Sequence, residues 1–335
     1  MRDAFDTLAD WIDIPSVTGD EASYGDAVAR ALSDQGFDVE RQEVLPGRFN
    51  VLARAGRPEV AFCTHLDTVP PFIGPTQKGG AIYGRGACDA KGQALAMLLA
   101  ARALLAEGER RIGFLLTVGE ETDSIGAARA NALQAEPWKP RWTIVGEPTD
   151  NTFVRGHKGL FRCALRAHGV AGHSSQPGGP SAIHELVGAL ERILLEDWGH
   201  DERFGRGTVN VGRIGGGLAA NVVAPAADAD LLLRIVEDPD LITARLAGLL
   251  GKHVELAEGS GYGPVAFYVP PGEPSVAVAF GTDAPYLKGF GTPLLYGAGS
   301  ILDAHTEGEK LARSSFERAV LDHARTARDL FARVS

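Results

Sequence analysis

The regular alternation of short apolar runs with amphipathic helical stretches through the first half of this chain restricts its fold more than any other feature of the sequence. Strand-like segments fall near 37–44, 49–54, 59–64 and 112–118, and again at "WTIVGE". Helical segments lie near 21–36, 91–107 and 125–134, after an N-terminal amphipathic helix with Phe5, Leu8, Trp11 and Ile12 on one face. This βα alternation predicts an α/β fold, a largely parallel sheet covered by helices. Ligands of such sheets sit beyond the carboxyl ends of the strands. Those ends carry His65 and Asp67 after "VAFCT", Glu120 and Glu121 after "IGFLLTV", and Glu147 after "WTIVG". Two ionised neighbours at the mouth of a buried strand are costly, because desolvation and mutual repulsion both disfavour the charged forms. A positive partner is therefore expected beside Glu120 and Glu121.

From about residue 157 the pattern changes to strand, helix, strand, strand, helix, strand, running from "GLFRCALRAHG" to "HVELAEG". That order is the ferredoxin-like, split βαβ pattern of a compact α+β unit. After it, "VAVAFGTDAPYLKGFGTPLLYGAG" and a final helix near 307–331 resume the βα alternation of the first half. With 335 residues, 44% of them hydrophobic, the chain exceeds the size at which single cores usually split. Two domains are expected: 1–156 with 269–335, and an inserted domain over 157–268.

A net charge of −10 and no run of like basic residues leave out the electrostatic footprint of a nucleic-acid binder. Cys63, Cys88 and Cys163 have neither the count nor the spacing of a disulfide framework or a zinc ribbon, which suits a reducing cytoplasm. Acidic residues in the first helix spoil a secretory h-region, and no apolar stretch reaches the roughly 18 residues of a membrane span. A cytoplasmic protein with no membrane partner is expected.

Metal-capable side chains come from separated places: His65 with Asp67, Asp89, the Glu120–Glu121 pair, Glu147 and His305. Zinc accepts imidazole nitrogen and carboxylate oxygen, and a two-metal site needs a bridge holding ions roughly 3.5–4 Å apart, which an aspartate can supply. A pair of ions would also account for the pair of glutamates. One would ligate while its neighbour takes a proton from the attacking water and passes it to a leaving amine.

The segments "CTHLDTVP", "GRGACDAKG", "TVGEETDSIGA", "IVGEPTD" and "DAHTEGE", in this order around an inserted α+β domain, resemble the M20 family of dinuclear zinc amidohydrolases. The resemblance covers nearly the whole chain and implies a zinc-dependent exopeptidase-like α/β catalytic domain with a ferredoxin-like lid or dimerisation domain. It implies two Zn2+ ions, with Co2+ or Mn2+ as possible substitutes. His65, Asp89 and Glu147 would serve one ion, and Asp89, as the bridge, with His305 and Glu121 the other. Glu120 would be the general acid and base, and Asp67 would orient the His65 imidazole.

In the inserted domain "GVAGHSSQP" matches the family's Gly-x-x-x-His-Ser motif and makes His173 a candidate donor to the oxyanion, contributed across a dimer interface in relatives of this kind. "GGGLAANVVAPAADADLLLR" matches the stretch in which Asn221 and Arg234 would face the substrate, the guanidinium gripping a carboxylate. "FGTDAPYL" and "YGAGSILDAHTEGE" resemble acetylornithine deacetylases more than other branches, with Asp283, Gly297 and Gly299 shaping the pocket and Asp283 pairing with a cationic side chain. The implied function is hydrolysis of the amide of an N-acyl-L-amino acid, most simply an N-acetyl amino acid of ornithine type, by a homodimer. A dipeptidase or carboxypeptidase of the same family is the nearest alternative, since the same chemistry cleaves either bond. A catalytically silent scaffold is the alternative from another class, and every catalytic position it would have lost is present.

His157, His168, His184, His200 and His253 read as surface or satisfied core residues. Cys88, beside Asp89, reads as a small apolar packer. The glycine run Gly215–Gly217 lacks the lysine and helix start of a phosphate cradle.

Overall fold

The structure, a computed structural model, describes residues 3–132, 136–176 and 178–333. Its contacts divide the chain into two compact units: Met1–Arg155 with Phe267–Val276 and Thr282–Ser335, and Gly156–Ala266 with Ala277–Gly281. The short return segment Ala277–Gly281, expected with the first domain, groups with the second unit because the Gly281 backbone runs against the Tyr262 hydroxyl.

The first unit is built on a mixed sheet. Its strands lie in the order Asp38–Leu45, Arg48–Ala55, Ile112–Thr117, Val60–His65, Trp142–Val145, Thr292–Leu295 and Phe153–His157. The central four, from Ile112–Thr117 to Thr292–Leu295, run parallel. Val60–His65 and Ile112–Thr117 are buried at every residue, the mark of strands covered on both faces. The flanks differ from the expectation of a largely parallel sheet: Asp38–Leu45 and Arg48–Ala55 form an antiparallel pair whose inner strand is antiparallel to Ile112–Thr117. The two residues between them, Pro46 and Gly47, are enough for a hairpin, and a parallel connection needs a dozen or more.

The helices are Ala4–Ile12, Ala22–Asp34, Lys91–Ala106, Ile125–Ala132 and Arg313–Ala332. Asp3 caps the first, its carboxylate accepting from the Phe5 N–H at 2.7 Å, and Phe5, Leu8, Trp11 and Ile12 are its buried face. Residues 133 and 134, the expected end of the fourth, lie outside the described residues. The final helix starts at Arg313 rather than near 307, because Lys310–Ala312 is used as a strand paired with Ala81–Tyr83. Lys91–Ala106 is rich in alanine and packs closely against the final helix.

The second unit has a four-stranded antiparallel sheet in the order Thr208–Gly216, Ala226–Ile235, Gly159–His168, Val254–Tyr262. Burial alternates along the two central strands, so one face is sealed. Leu186, Leu190 and Ile193 of the helix Ala182–Leu195 and Ile242 and Leu246 of Pro239–Leu249 cover that face. This core is separate from that of the first unit. All three cysteines are free and buried, and among the described residues no helix is long and apolar enough to cross a membrane.

Candidate active site

Because the four central strands run parallel, their carboxyl ends lie along one edge, and the segments that leave them carry the polar residues singled out from the sequence. His65 is the last residue of its strand, Glu120 and Glu121 follow Thr117, Glu147 follows Val145, and His305 lies in the loop after Leu295. Asp89 comes from a different place, just before the first turn of Lys91–Ala106.

Asp89 is the centre of the cluster. Its Oδ1 is 2.9 Å from His65 Nε2 and its Oδ2 3.2 Å from His305 Nε2, so each oxygen faces a different imidazole. His305 Nε2 is also 2.9 Å from Glu121 Oε2, and His65 Nε2 lies 3.9 Å from Glu147 Oε2. One ligand atom from each of His65, Asp89 and Glu121 falls within 4.8 Å of the others. His65 is buried and His305 half-exposed, with φ of 63° in the left-handed region.

Glu120 and Glu147 are carboxyls under pressure. Burial pushes both well above the usual carboxylate range, and neighbouring acids add to the effect, Asp283 first for Glu120 and Glu120 first for Glu147, with His65 opposing in each case. His65 itself is held well above its ordinary value: burial would lower it, but hydrogen bonds to Asp67 and Asp89 and the charge of Glu147 outweigh that. His305 is raised to about 10, chiefly by its hydrogen bonds to Asp89 and Glu121. Among the described residues these imidazoles are the only basic groups in direct contact with this acidic cluster. Two imidazole nitrogens and several converging carboxylates, crowded and desolvated, are a donor set that fits divalent ions of the zinc type. A cation there would relieve the pressure on Glu120 and Glu147.

Asp67 meets His65 through its backbone as well as its carboxylate. The nearest partner of His65 Nδ1 is the Asp67 backbone carbonyl at 2.9 Å, with the carboxylate at 3.5 Å. The carboxylate instead accepts the backbone N–H groups of Glu120 and Glu121, both at 3.1 Å, and the Thr18 hydroxyl at 2.8 Å. Asp67 therefore holds the glutamate pair as well as the imidazole. Asp283 is buried and accepts from Thr117 Oγ1 at 2.6 Å, beneath the strand end that leads to Glu120. Burial raises it to about 6. In this position it supports Thr117 and offers no exposed oxygen to a cationic substrate group.

Three residues were not singled out by their sequence context. Gln93 donates to the carbonyls of Cys88 (2.7 Å) and Ala298 (2.6 Å) and accepts from the Ala298 N–H at 3.0 Å, joining the Asp89 segment to the glycine loop before His305. A Cβ on Gly297 would overlap Gln93 Oε1, which explains the glycine there. Arg85 and Glu309 form a buried ion pair behind Asp89. Cys88 packs as an apolar residue, its thiol pushed up by burial.

In the second unit, His173 and Asn221 are brought together. Gly172–His173 pairs with Val222–Val223, the Ser174 N–H donates to the Asn221 carbonyl at 3.1 Å, and the Ser175 hydroxyl lies 2.8 Å from His173 Nδ1. Pro177, the last residue of that motif, lies outside the described residues. Arg234 is not with them. Asn221 precedes the Ala226 end of the strand Ala226–Ile235, and Arg234 is at the other end, more than about 20 Å away at roughly 3.3 Å per residue. Among the described residues, none of His157, His168, His184, His200, His253 and His323 belongs to a metal-ligand cluster. His157 is buried and lowered to about 4, first by burial.

The donor set at the carboxyl edge of this sheet is of the kind that metal-dependent hydrolases use. Residues 61–329 match the family described as peptidase family M20/M25/M40. A peptidase M20 domain-containing protein of Schizosaccharomyces pombe is 36% identical over 312 residues, covering 89% of this chain and 77% of its own. A probable carboxypeptidase of Emericella nidulans is 35% identical, covering 93% and 85%. Among solved structures, the aminopeptidase PepT from Bacillus cereus superposes with a TM-score of 0.80 at 20% identity, covering 96% of each chain. A dinuclear metal-binding M20 peptidase from Bacillus subtilis superposes with 0.70 at 14% identity, covering 96% and 95%. The chain belongs to the M20/M25/M40 peptidase family and is a hydrolase acting on amide bonds.

Proposed function

We propose that this protein is a metal-dependent exopeptidase that hydrolyses the amide bond preceding a free-carboxylate amino acid in a short peptide. The observation that carries the reading is the Glu120 carboxyl, raised by burial and set beside an aspartate whose two oxygens face two histidines. A carboxyl whose hold on a proton is raised in this way is suited to take a proton from water and give it back. The carboxypeptidase names of relatives about one-third identical support the choice of substrate.

In this reading Glu120 takes the proton of the attacking water and returns it to the leaving nitrogen. Asp67 keeps it in place through the Glu120 N–H. His65, Asp89, Glu147, Glu121 and His305 would hold two divalent ions, zinc in the first instance, with Asp89 between them. Bound ions would polarise the scissile carbonyl and lower the pKa of the attacking water. His173 would donate to the developing oxyanion and Arg234 would grip the substrate carboxylate. Since a strand's length separates Arg234 from His173 and Asn221 in one chain, a homodimer in which two copies complete one site accommodates all three.

The second reading is N-acyl-amino-acid deacylation of ornithine type, favoured by the likeness around "FGTDAPYL". It needs an acid for the substrate's cationic end, and Asp283 is buried, with one of its oxygens on Thr117. The test is amine release by the Zn2+-, Co2+- or Mn2+-loaded protein from dipeptides, their C-terminal amides and N-acetyl amino acids including N-acetyl-ornithine. The exopeptidase reading expects turnover of dipeptides and loss of it in the amides. Turnover of N-acetyl-ornithine alone would establish the second reading, and equal turnover of the amides would refute the carboxylate requirement.

A further inference from the structure

Arg85 and Glu309 lie far apart in sequence and meet behind Asp89, with side chains 2% and 0% exposed and a 2.7 Å contact between Arg85 Nη1 and Glu309 Oε2. Glu309 Oε1 accepts the backbone N–H groups of Cys88 and Asp89, each at 3.2 Å. Arg85 Nη1 donates to the carbonyl of Thr306, the residue after His305, at 3.1 Å, and its Nε to the Pro71 carbonyl at 3.3 Å. The pair therefore touches the backbone of the segment carrying Asp89, the loop carrying His305 and the loop that follows His65 and Asp67.

Burying two charges gives little stability, and an apolar pair of similar volume often serves as well or better. An apolar pair, however, cannot accept the Asp89 N–H or donate to the Thr306 carbonyl. Asp89 contacts His305 through Oδ2, so a shift of either backbone alters that contact directly. His65 ends a strand paired on both sides, and the ladder with Ile112–Thr117 reaches His65 itself, whereas His305 sits in a loop. The His305 side depends more on an added fastening.

We propose that the Arg85–Glu309 ion pair is a positioning device that locks the Asp89 segment to the His305 loop and sets the affinity of the Asp89–His305–Glu121 side for its ion, more than that of the His65–Glu147 side. This rests on the reading of Asp89 as a bridge between two ions. Glu309→Gln keeps an oxygen for the two N–H groups but removes the charge that holds Arg85. Arg85→Lys keeps the charge but loses the fork that reaches two carbonyls.

The experiment is a Zn2+ titration of the metal-free full-length chain against a chromophoric chelator, repeated with Co2+ to follow the visible absorption of each equivalent. Circular dichroism monitors folding. Wild type is expected to bind two equivalents. Both variants are expected to keep one at wild-type affinity and weaken the other by about 10–100-fold, the usual effect of removing a partner of a metal ligand. A general loosening of the fold would weaken both equivalents together and would overturn the proposal, as would two wild-type affinities in a folded variant. If Glu309→Gln does not fold, Arg85→Lys decides; failure of both to fold would make the pair a support of the fold and overturn the proposal too. A wild type that binds no metal would sink the hydrolase site reading itself, an outcome distinct from unchanged variants of a metal-binding wild type.

Discussion

His323 is an imidazole kept neutral by its surroundings. It packs edge-on to the rings of Phe62 and Tyr296, its Nε2 has no hydrogen-bond partner among the described residues, and burial pushes its pKa down to about 4. In the unfolded chain it titrates near 6.5. Between those values the unfolded state carries the extra proton, so this group's contribution to stability falls as pH drops from about 6.5 to about 4. His323→Phe is expected to gain about 2 kcal/mol relative to wild type between pH 7 and pH 4.5, read from urea unfolding. A difference that stays constant with pH would contradict the assignment. At the same scale, the cluster of His65, Asp89, Glu121, Glu147 and His305 was legible because each residue sits in a recognisable segment, most of them beyond an apolar strand. Arg85, Gln93 and Glu309 were not, because an isolated arginine or glutamate reads as a solvated surface residue. Their burial depends on partners more than 200 residues away. Asp67 was legible as a neighbour of His65 but not as an acceptor of the Glu120 and Glu121 N–H groups, which only the approach of two parallel strands supplies.

Lys91–Ala106 shows how an element can be constrained from outside. In an exposed helix interior, alanine is about 1 kcal/mol better than glycine. At Gly92 a Cβ would overlap the Ala87 carbonyl oxygen and come within 2.5 Å of Leu311 Cδ2. Overpacking of that kind costs roughly 1–3 kcal/mol. Gly92→Ala is therefore expected to lower stability by a net amount of up to about 2 kcal/mol, seen as a fall in the urea midpoint at unchanged slope. A stabilised variant would mean that the helix has room to move away. The central parallel strands and most helices were legible from apolar period and length. The antiparallel flanks were not, since a strand's direction is set by the connection and by the partner it finds. Nor was the strand Lys310–Ala312, which is too short to carry a period and forms only because Ala81–Tyr83 is beside it.

On the scale of the whole molecule, two separate cores support two units, and the candidate metal residues all belong to the first. A ligand that binds only the folded form of one unit stabilises that unit by mass action. Calorimetry of the metal-loaded protein is expected to show two transitions, and chelation to lower the temperature of one while leaving the other in place. One transition that moves as a whole would show that the units unfold together. The separation of Arg234 from His173 and Asn221 also belongs to this scale: the motif spacing placed all three in one domain, but the length of the strand between them only emerged once the sheet was laid out.

The central claim is that Glu120 moves protons for a hydrolysis that also needs the ions held by its neighbours. The most direct measurement is free-amine release from a dipeptide by the Zn2+-loaded wild type, the metal-stripped wild type and Zn2+-loaded Glu120→Gln, with metal content determined in each. Turnover is expected in the first alone, with Glu120→Gln retaining both ions and losing about 10²–10⁴-fold in kcat. A metal-loaded Glu120→Gln that hydrolyses the peptide at the wild-type rate, or a stripped protein that remains active, would contradict it.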